Sequence, residues 1–493
     1  MTQDDLEPRQ EKLVDPKKNI RSGFKWMGIA SALAQGLDAI SLFIVMLFIS
    51  KEDMGQATLA VSYAACVEAF CACGVGKALV QDDKLSVDEL HSLFWFATAS
   101  GVAISLLLAL LALPAAILIF HSDALLPLML VGVTKLIFVS TANVPIQLIN
   151  RRLEYNKISI IQTVATLGSS LLKIGFAALG FGAWSLVLAN TSYGFFQIAS
   201  AFALAHYIPK FHFKWTECRR FVHFGIKFCV SSLGEVLNKN LHYFIVGKFF
   251  GEGVLGLYRV GYELAMTPAL ALLNVVNQSS YPVFSRVKDN RQKLSELFSW
   301  NQSNIAIFSA VPIVFICFCA SDIFSIIKDG KWMAATDFIV FALGVAFLKS
   351  LMQTFSELYK ACGYPEYSIK ASVFEAALIF VFFVAVLSLC PLFGLSNMAS
   401  LNVMFCTWML LFIPLFMYHH RLARQFININ FRSTLQSVNK ALLFLFVAAG
   451  LSFAPWYYEK SLPFLPWSHF AIEVVIVLVC LGVYVKLRRK RIL

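Results

Sequence analysis

We predict an all-α polytopic membrane protein from three observations, which are the composition, the lengths of the apolar runs and the alternation of basic connections. Of the 493 residues, 58% are hydrophobic and only 14% are charged, and the mean hydropathy is +0.70. A soluble domain carries roughly 25% charged residues. This chain therefore has too few charges to cover a water-facing surface, whereas lipid would solvate its apolar side chains.

Apolar runs of bilayer length follow one another along almost the whole chain. A transmembrane helix needs ~20 mostly apolar residues. Charged residues and Gly or Pro breaks divide the chain into about fourteen such runs, with about twelve or thirteen as the alternative count. The predicted spans are 24–49, 55–80, 93–120, 125–148, 158–179, 183–207, 221–250, 255–284, 297–320, 334–359, 367–389, 395–417, 438–457 and 467–485.

Basic residues are concentrated in alternate connections. One set of connections is rich in Lys and Arg and ends with the tail KLRRKRIL, whereas the alternating set, including HSD from His121 and CPLFG from Cys390, is nearly bare. Basic connections stay on the cytoplasmic side of a membrane, so we expect both termini in the cytoplasm. The net charge of +12 is thus a signal of topology, and no nucleic-acid partner is expected.

The connections are short, which argues against a soluble catalytic domain. We therefore expect any function to lie between helices. The eleven cysteines show no metal-ligand or disulfide spacing, and we expect neither a metal nor a cofactor.

An internal repeat is indicated by two stretches. FIVMLFISKEDMG from Phe43 aligns without gaps on FIVGKFFGEGVLG from Phe244, and the alignment pairs Gly55 with Gly256. Chance similarity between membrane helices is the alternative explanation. Two parallel six-helix halves around a central substrate site are a recurrent transporter design. The predicted organisation is a cytoplasmic segment 1–20, an N-lobe 21–208 (spans 1–6), a C-lobe 209–420 (spans 7–12), and residues 421–493 with spans 13–14 and a basic tail.

Several stretches of the sequence indicate a particular protein family, which hydropathy alone cannot do. They are GVGKALVQDDKLSVDEL from Gly74, LINRRLEYNKISIIQ from Leu148 with LGFGAWSLV from Leu179, FIVGKFFGEGVLGLYRVGYELAMTPAL from Phe244, and YPVFSRVKDNRQKL from Tyr281. Over roughly the first 300 residues, in the same order, they resemble the polysaccharide transporter family. These are Wzx-type flippases within the multidrug/oligosaccharidyl-lipid/polysaccharide exporter superfamily. One departure is His242 in Asn240-Leu241-His242, where members often have Asn-x-Asp. The resemblance therefore implies no acidic ion site at this position.

The resemblance implies transport and no enzymatic reaction. Such a flippase moves undecaprenyl-diphosphate-linked oligosaccharide from the cytoplasmic to the outer leaflet of the bacterial inner membrane, for O-antigen, capsule or exopolysaccharide. It implies alternating access of two lobes around a cationic cavity, driven by the membrane potential or by antiport of an ion. The implied partners are the lipid-linked oligosaccharide, membrane lipids, a proton or sodium ion, and the polysaccharide polymerase machinery.

Ionisable residues inside the spans are the candidate site. Each costs ~2.5–3.5 kcal/mol to insert and usually marks a pathway. Because point cations at mid-depth would offset the charge of a diphosphate, the candidate substrate-binding cations are Lys135, Lys239, Arg259 and Lys349. The candidates for ion coupling or inter-lobe pairing, including a pair of Asp38 with Lys239, are Asp38, Glu68, Glu235, Glu263, Glu357 and Glu375.

Two alternatives stay open for these charges and for the function. Glu235 with Lys239, and Arg259 with Glu263, are spaced i,i+4 and could simply neutralise each other along one helix. A drug or metabolite exporter of the same architecture is the second function. A polytopic glycan polymerase or ligase is the third, although it would need a long outer loop.

Overall fold

The computed structural model describes residues 16–428 apart from positions 69, 72–74, 77–78, 80–84 and 328–329, together with three single positions beyond 428. The predicted spans 438–457 and 467–485 and the basic tail lie outside the described residues.

The prediction of an all-α membrane protein is confirmed. Within residues 16–428 the described part is helical, with no strand, and seven helices are long and apolar enough to cross a bilayer. These seven coincide with the predicted spans 3–5 and 9–12. The helices are α1 Pro16–Met46, α2 Lys51–Glu68, α3 Val87–Pro114, α4 Leu125–Arg151, α5 Tyr155–Ala178, α6 Ala183–Ala205, α7 Trp215–Val287, α8 Arg291–Ile326, α9 Thr336–Ala361, α10 Pro365–Leu389 and α11 Asn397–Ala423. A π-helical turn, Ala115–Phe120, prolongs α3.

Helix α7 consists of two helical segments joined by a break at Gly251. The backbone of Gly251 has φ 75° and ψ −178° in an otherwise helical run, a conformation that only glycine adopts readily. The break falls between the predicted spans 221–250 and 255–284. The sequence signal for it is the pair of glycines in Gly251-Glu252-Gly253.

Helix α3 begins with a strong local signal. Ser86 caps the helix by accepting a hydrogen bond from the Glu89 N–H at 3.2 Å, and the Glu89 carboxylate accepts one from the Ser86 N–H at 2.9 Å. This reciprocal capping box satisfies two backbone donors at the start of the helix. The helix therefore starts six residues before the predicted span 93–120.

The chain divides into two compact units, Met1–Gly256 and Leu257–Leu493. In the first unit, α4 packs on α3 and α6, and α5 packs on α6. In the second unit, α9 packs on α8 and α11, and α10 packs on α11. Spans 3–6 and spans 9–12 thus pack in the same order, as a duplicated six-span unit would. The lobe boundary at 208/209 stays a prediction.

The surfaces of both units carry large apolar side chains. Exposed leucines line α3, with Leu110 exposed by 76%, and α10 exposes Phe380, Val381 and Phe382. Lipid tails solvate such side chains, so helix association inside a membrane depends on packing and polar contacts. The polar contacts between helices are for that reason informative about function.

Candidate functional site

Lys135 of the first unit forms an interhelical ion pair. It lies on α4, and its Nζ is 2.9 Å from Oε2 of Glu68 on α2. The side chains are 15% and 33% exposed, respectively. The same Nζ lies 5.8 Å from the ring centroid of Tyr193 on α6, within cation–π range. Three helices therefore converge on one ammonium group.

Lys349 of the second unit occupies a similar setting. Its Nζ, on α9, lies 5.5 Å from the ring centroid of Trp408 on α11. The ammonium also donates a hydrogen bond to the Tyr262 hydroxyl on α7, and the carboxylate of Glu375 on α10 is close enough to interact with its charge. The rings of Tyr262 and Trp408 stack with centroids 6.0 Å apart and an angle of 8° between their planes. Four helices converge here.

The two lysine sites share one plan. In each unit the lysine is on the fourth span, the aromatic ring beside it is on the sixth span, and a carboxylate comes from a third helix. An ammonium away from water is costly unless it is paired or hydrogen-bonded. The carboxylate and the ring face offset that cost. Because an ammonium has three N–H donors, each lysine can still donate a hydrogen bond to an anion.

The sequence relationships agree with this architecture. The family described as "Polysaccharide biosynthesis protein" matches residues 44–337, which is more than half of the chain. The chain belongs to this family.

Two relatives are similar to this chain over most of its length. It is 23% identical over 365 residues to the lipopolysaccharide biosynthesis protein WzxC of Escherichia coli K12, covering 72% of this chain and 73% of WzxC. It is 22% identical over 355 residues to the teichuronic acid biosynthesis protein TuaB of Bacillus subtilis 168, covering 70% and 72%. The predicted resemblance to Wzx-type transporters is confirmed.

The fold is also that of a solved transporter. The inward closed conformation of the lipid II flippase MurJ superposes with a TM-score of 0.68 at 13% identity, covering 94% of this chain and 99% of MurJ. At this identity the likeness establishes the fold only. The chain is also 21% identical over 288 residues to the succinoglycan biosynthesis transport protein ExoT of Rhizobium meliloti 1021, covering 57% of this chain and 56% of ExoT. Together with the family match, this similarity confirms the prediction of a membrane transporter rather than an enzyme.

Asp38 of this family member has a partner that the sequence did not indicate. The Lys173 ammonium on α5 bonds the Asp38 carboxylate on α1 and the Ser41 hydroxyl at 3.0 Å. Asp38 remains 69% exposed, whereas Lys173 is 13% exposed. The predicted inter-lobe pair of Asp38 with Lys239 stays a prediction, and Lys239 is exposed on α7.

The remaining candidate carboxylates have different environments. Glu263 on α7 accepts a hydrogen bond from the Thr267 hydroxyl at 3.2 Å, and it is half-buried like Arg259 one turn earlier. Glu357 bonds the Lys360 ammonium at 3.2 Å near the end of α9. The side chain of Glu235 lies outside the described part of the chain.

The aromatic partners are what sequence reasoning missed. Tyr193, Tyr262 and Trp408 are common residue types in membrane helices, and none stood out alone. One feature of the sequence could have indicated two of these aromatic residues. Tyr193 follows Lys135, and Trp408 follows Lys349, at nearly the same separation along the chain, which is a second internal match.

Proposed function

We propose that this protein flips an undecaprenyl-diphosphate-linked oligosaccharide from the cytoplasmic to the outer leaflet of a bacterial inner membrane. The observation that carries the proposal is the pair of half-buried lysines, Lys135 and Lys349, each held beside an aromatic ring in its own unit. A lipid diphosphate needs cations inside the membrane, whereas a cationic drug would be repelled by them.

The same lysines suggest how the anion is bound and released. The Glu68 carboxylate pairs with the Lys135 ammonium, and Glu375 is the carboxylate near Lys349. A phosphate oxygen would compete with the carboxylate for the ammonium. Binding of a proton or sodium ion by Glu68 or Glu375 would remove that competition, so an ion gradient could be coupled to substrate movement. Lys239 and Arg259 are proposed as further cations along the path.

Two sequence relatives and one solved structure support the choice of substrate class. The names of WzxC and TuaB place them in lipopolysaccharide and teichuronic acid biosynthesis, and MurJ is named a lipid II flippase. All three concern glycans of the bacterial envelope. We transfer from them only the class of substrate, a lipid-linked sugar.

The test is the leaflet location of the lipid-linked glycan in cells depleted of the protein. We expect outer-leaflet glycan to disappear and lipid-linked repeat units to build up on the cytoplasmic side. Re-expression of the wild type should restore the distribution, and Lys135→Gln combined with Lys349→Gln should not. Normal arrival at the outer leaflet during depletion would exclude the flippase.

A further inference from the structure

The connection between α6 and α7 exposes large apolar side chains. We call residues 206–215 the α6–α7 segment. Within it, Phe211 is 89% exposed, Ile208 81%, Trp215 51% and Phe213 50%. Four large apolar side chains exposed within eight residues of one connection indicate an interaction site.

Basic side chains alternate with these apolar ones. Lys210 precedes Phe211, and Lys214 lies between Phe213 and Trp215. In the first turns of α7, Arg219 is exposed, whereas Arg220 pairs with Glu89 at 2.8 Å. Among the described residues, Lys210 and Arg219 bond no carboxylate. Lys214 is 3.6 Å from Glu217 and still 61% exposed. The surface is therefore both apolar and positively charged.

Hydrogen bonds hold the segment against the start of α3. The Trp95 indole N–H donates to the Lys210 carbonyl at 2.9 Å, the Lys210 N–H donates to Nδ1 of His91 at 3.3 Å, and the Lys214 N–H donates to the Ser92 hydroxyl at 3.2 Å.

Ring contacts complete the support. Phe211 packs edge-on against Trp95 with centroids 5.4 Å apart, and Trp215 packs on Phe96 with centroids 5.7 Å apart. The apolar side chains are thus presented in a fixed arrangement, so little conformational entropy is lost when something binds them.

We propose that the α6–α7 segment is a binding surface for anionic phospholipid headgroups. It directly follows the last turn of α6, whose final carbonyls bond Arg152 and Lys157 at the junction of the membrane helices α4 and α5, so it lies where these helices leave the hydrocarbon. Aromatic side chains are favoured at that depth, and exposed Lys and Arg attract anionic lipid there. The occupant is a bilayer lipid with a negative headgroup, such as phosphatidylglycerol, and the inference goes beyond the transport function.

The test uses the full-length protein in nanodiscs and the emission of Trp215. The difference between wild type and Trp215→Phe isolates the Trp215 signal and keeps a ring against Phe96. A small fraction of lipid brominated near the headgroup is then added, either as phosphatidylglycerol or as phosphatidylcholine. We expect brominated phosphatidylglycerol to quench Trp215 more strongly, because it is enriched beside the segment.

The lysines should account for that preference. One basic residue near an anionic surface enriches anionic lipid beside it about fivefold. Lys210→Gln should therefore reduce the preference for phosphatidylglycerol by about that factor. Lys293→Gln, which removes an exposed lysine at the start of α8, is the matched control and should leave it unchanged.

Added salt tests the same point without changing any lysine, since screening should lower the phosphatidylglycerol preference of the Trp215 signal. Equal quenching of wild type by the two brominated lipids would overturn the proposal. A preference that survives in the double variant Lys210→Gln/Lys214→Gln would overturn it as well.

Discussion

Gly55 and Gly256 make reciprocal close contacts, in which each glycine packs against the backbone of the segment that carries the other. A Cβ on Gly55 would lie 1.8 Å from the carbonyl oxygen of Glu252, and a Cβ on Gly256 would lie 1.9 Å from the carbonyl oxygen of Lys51. The alignment that pairs Gly55 with Gly256 also pairs Lys51 with Glu252. The contact is therefore self-complementary, as in a two-fold interface.

Alanine at either glycine should disturb this crossing equally. The added methyl meets a backbone oxygen that cannot rotate away, so we expect Gly55→Ala and Gly256→Ala each to lower the free energy of unfolding by about 1–3 kcal/mol. Thermal unfolding in detergent measures the change. Gly175→Ala is the control, because nothing lies within 4 Å of its new methyl. Equal stability of all three variants would show that the crossing is not tight.

The pair of Lys135 and Glu68 should be energetically coupled. Each single change, Lys135→Gln or Glu68→Gln, leaves a half-buried charge without its partner, whereas the double change removes both charges. Pairs in direct contact typically show coupling of about 0.5–3 kcal/mol. A double-mutant cycle on thermal stability gives this value. Strict additivity would mean that the two groups are solvated separately.

Lys349 should matter for transport more than for folding. We expect Lys349→Met to stay folded with a lowered stability, because methionine fills a similar volume but leaves the Glu375 carboxylate without the ammonium. We expect it to reduce delivery of lipid-linked glycan at least about tenfold, equivalent to ~1.4 kcal/mol of lost anion binding. Lys331→Met is the matched control, because Lys331 also lies over a tryptophan, 5.8 Å from the ring centroid of Trp332, but outside the lysine sites. Normal transport by Lys349→Met would remove Lys349 from the mechanism.

Glu217 should stabilise the protein near neutral pH and lose that effect in acid. Its burial raises the pKa, but hydrogen bonds from Ser92 and His212 and the charges of His212 and Lys214 outweigh burial and hold the pKa below its usual value. A carboxylate whose pKa is lower in the folded state stabilises the protein at pH values above its unfolded-state pKa of ~4.3. This stabilisation is lost as the pH falls through the folded-state pKa.

The melting temperature of Glu217→Gln should therefore be below that of wild type at pH 7, and the two should converge in acid below about pH 4. Glu366→Gln, an exposed carboxylate at the start of α10, is the control. A constant difference across the pH range would assign the effect of Glu217 to packing.

Local signals account for the part of the fold that was predictable. Run length and hydropathy located the described spans, the glycines around Gly251 marked the break in α7, and the depth of Lys135 and Lys349 in their spans singled them out. The partners of those lysines were not predictable, because Glu68 and Trp408 lie on other helices. Which faces meet depends on how each helix is rotated, and a run that is apolar all round does not encode that rotation.

The ammonium of Lys349 beside the indole ring of Trp408 gives the second lysine site an intrinsic optical reporter. A positive charge near an indole shifts its emission wavelength, and an anion that binds the ammonium would partly cancel the shift. The difference in emission between wild type and Trp408→Phe should then follow the occupancy of the site in real time, in unlabelled protein and in a native lipid mixture.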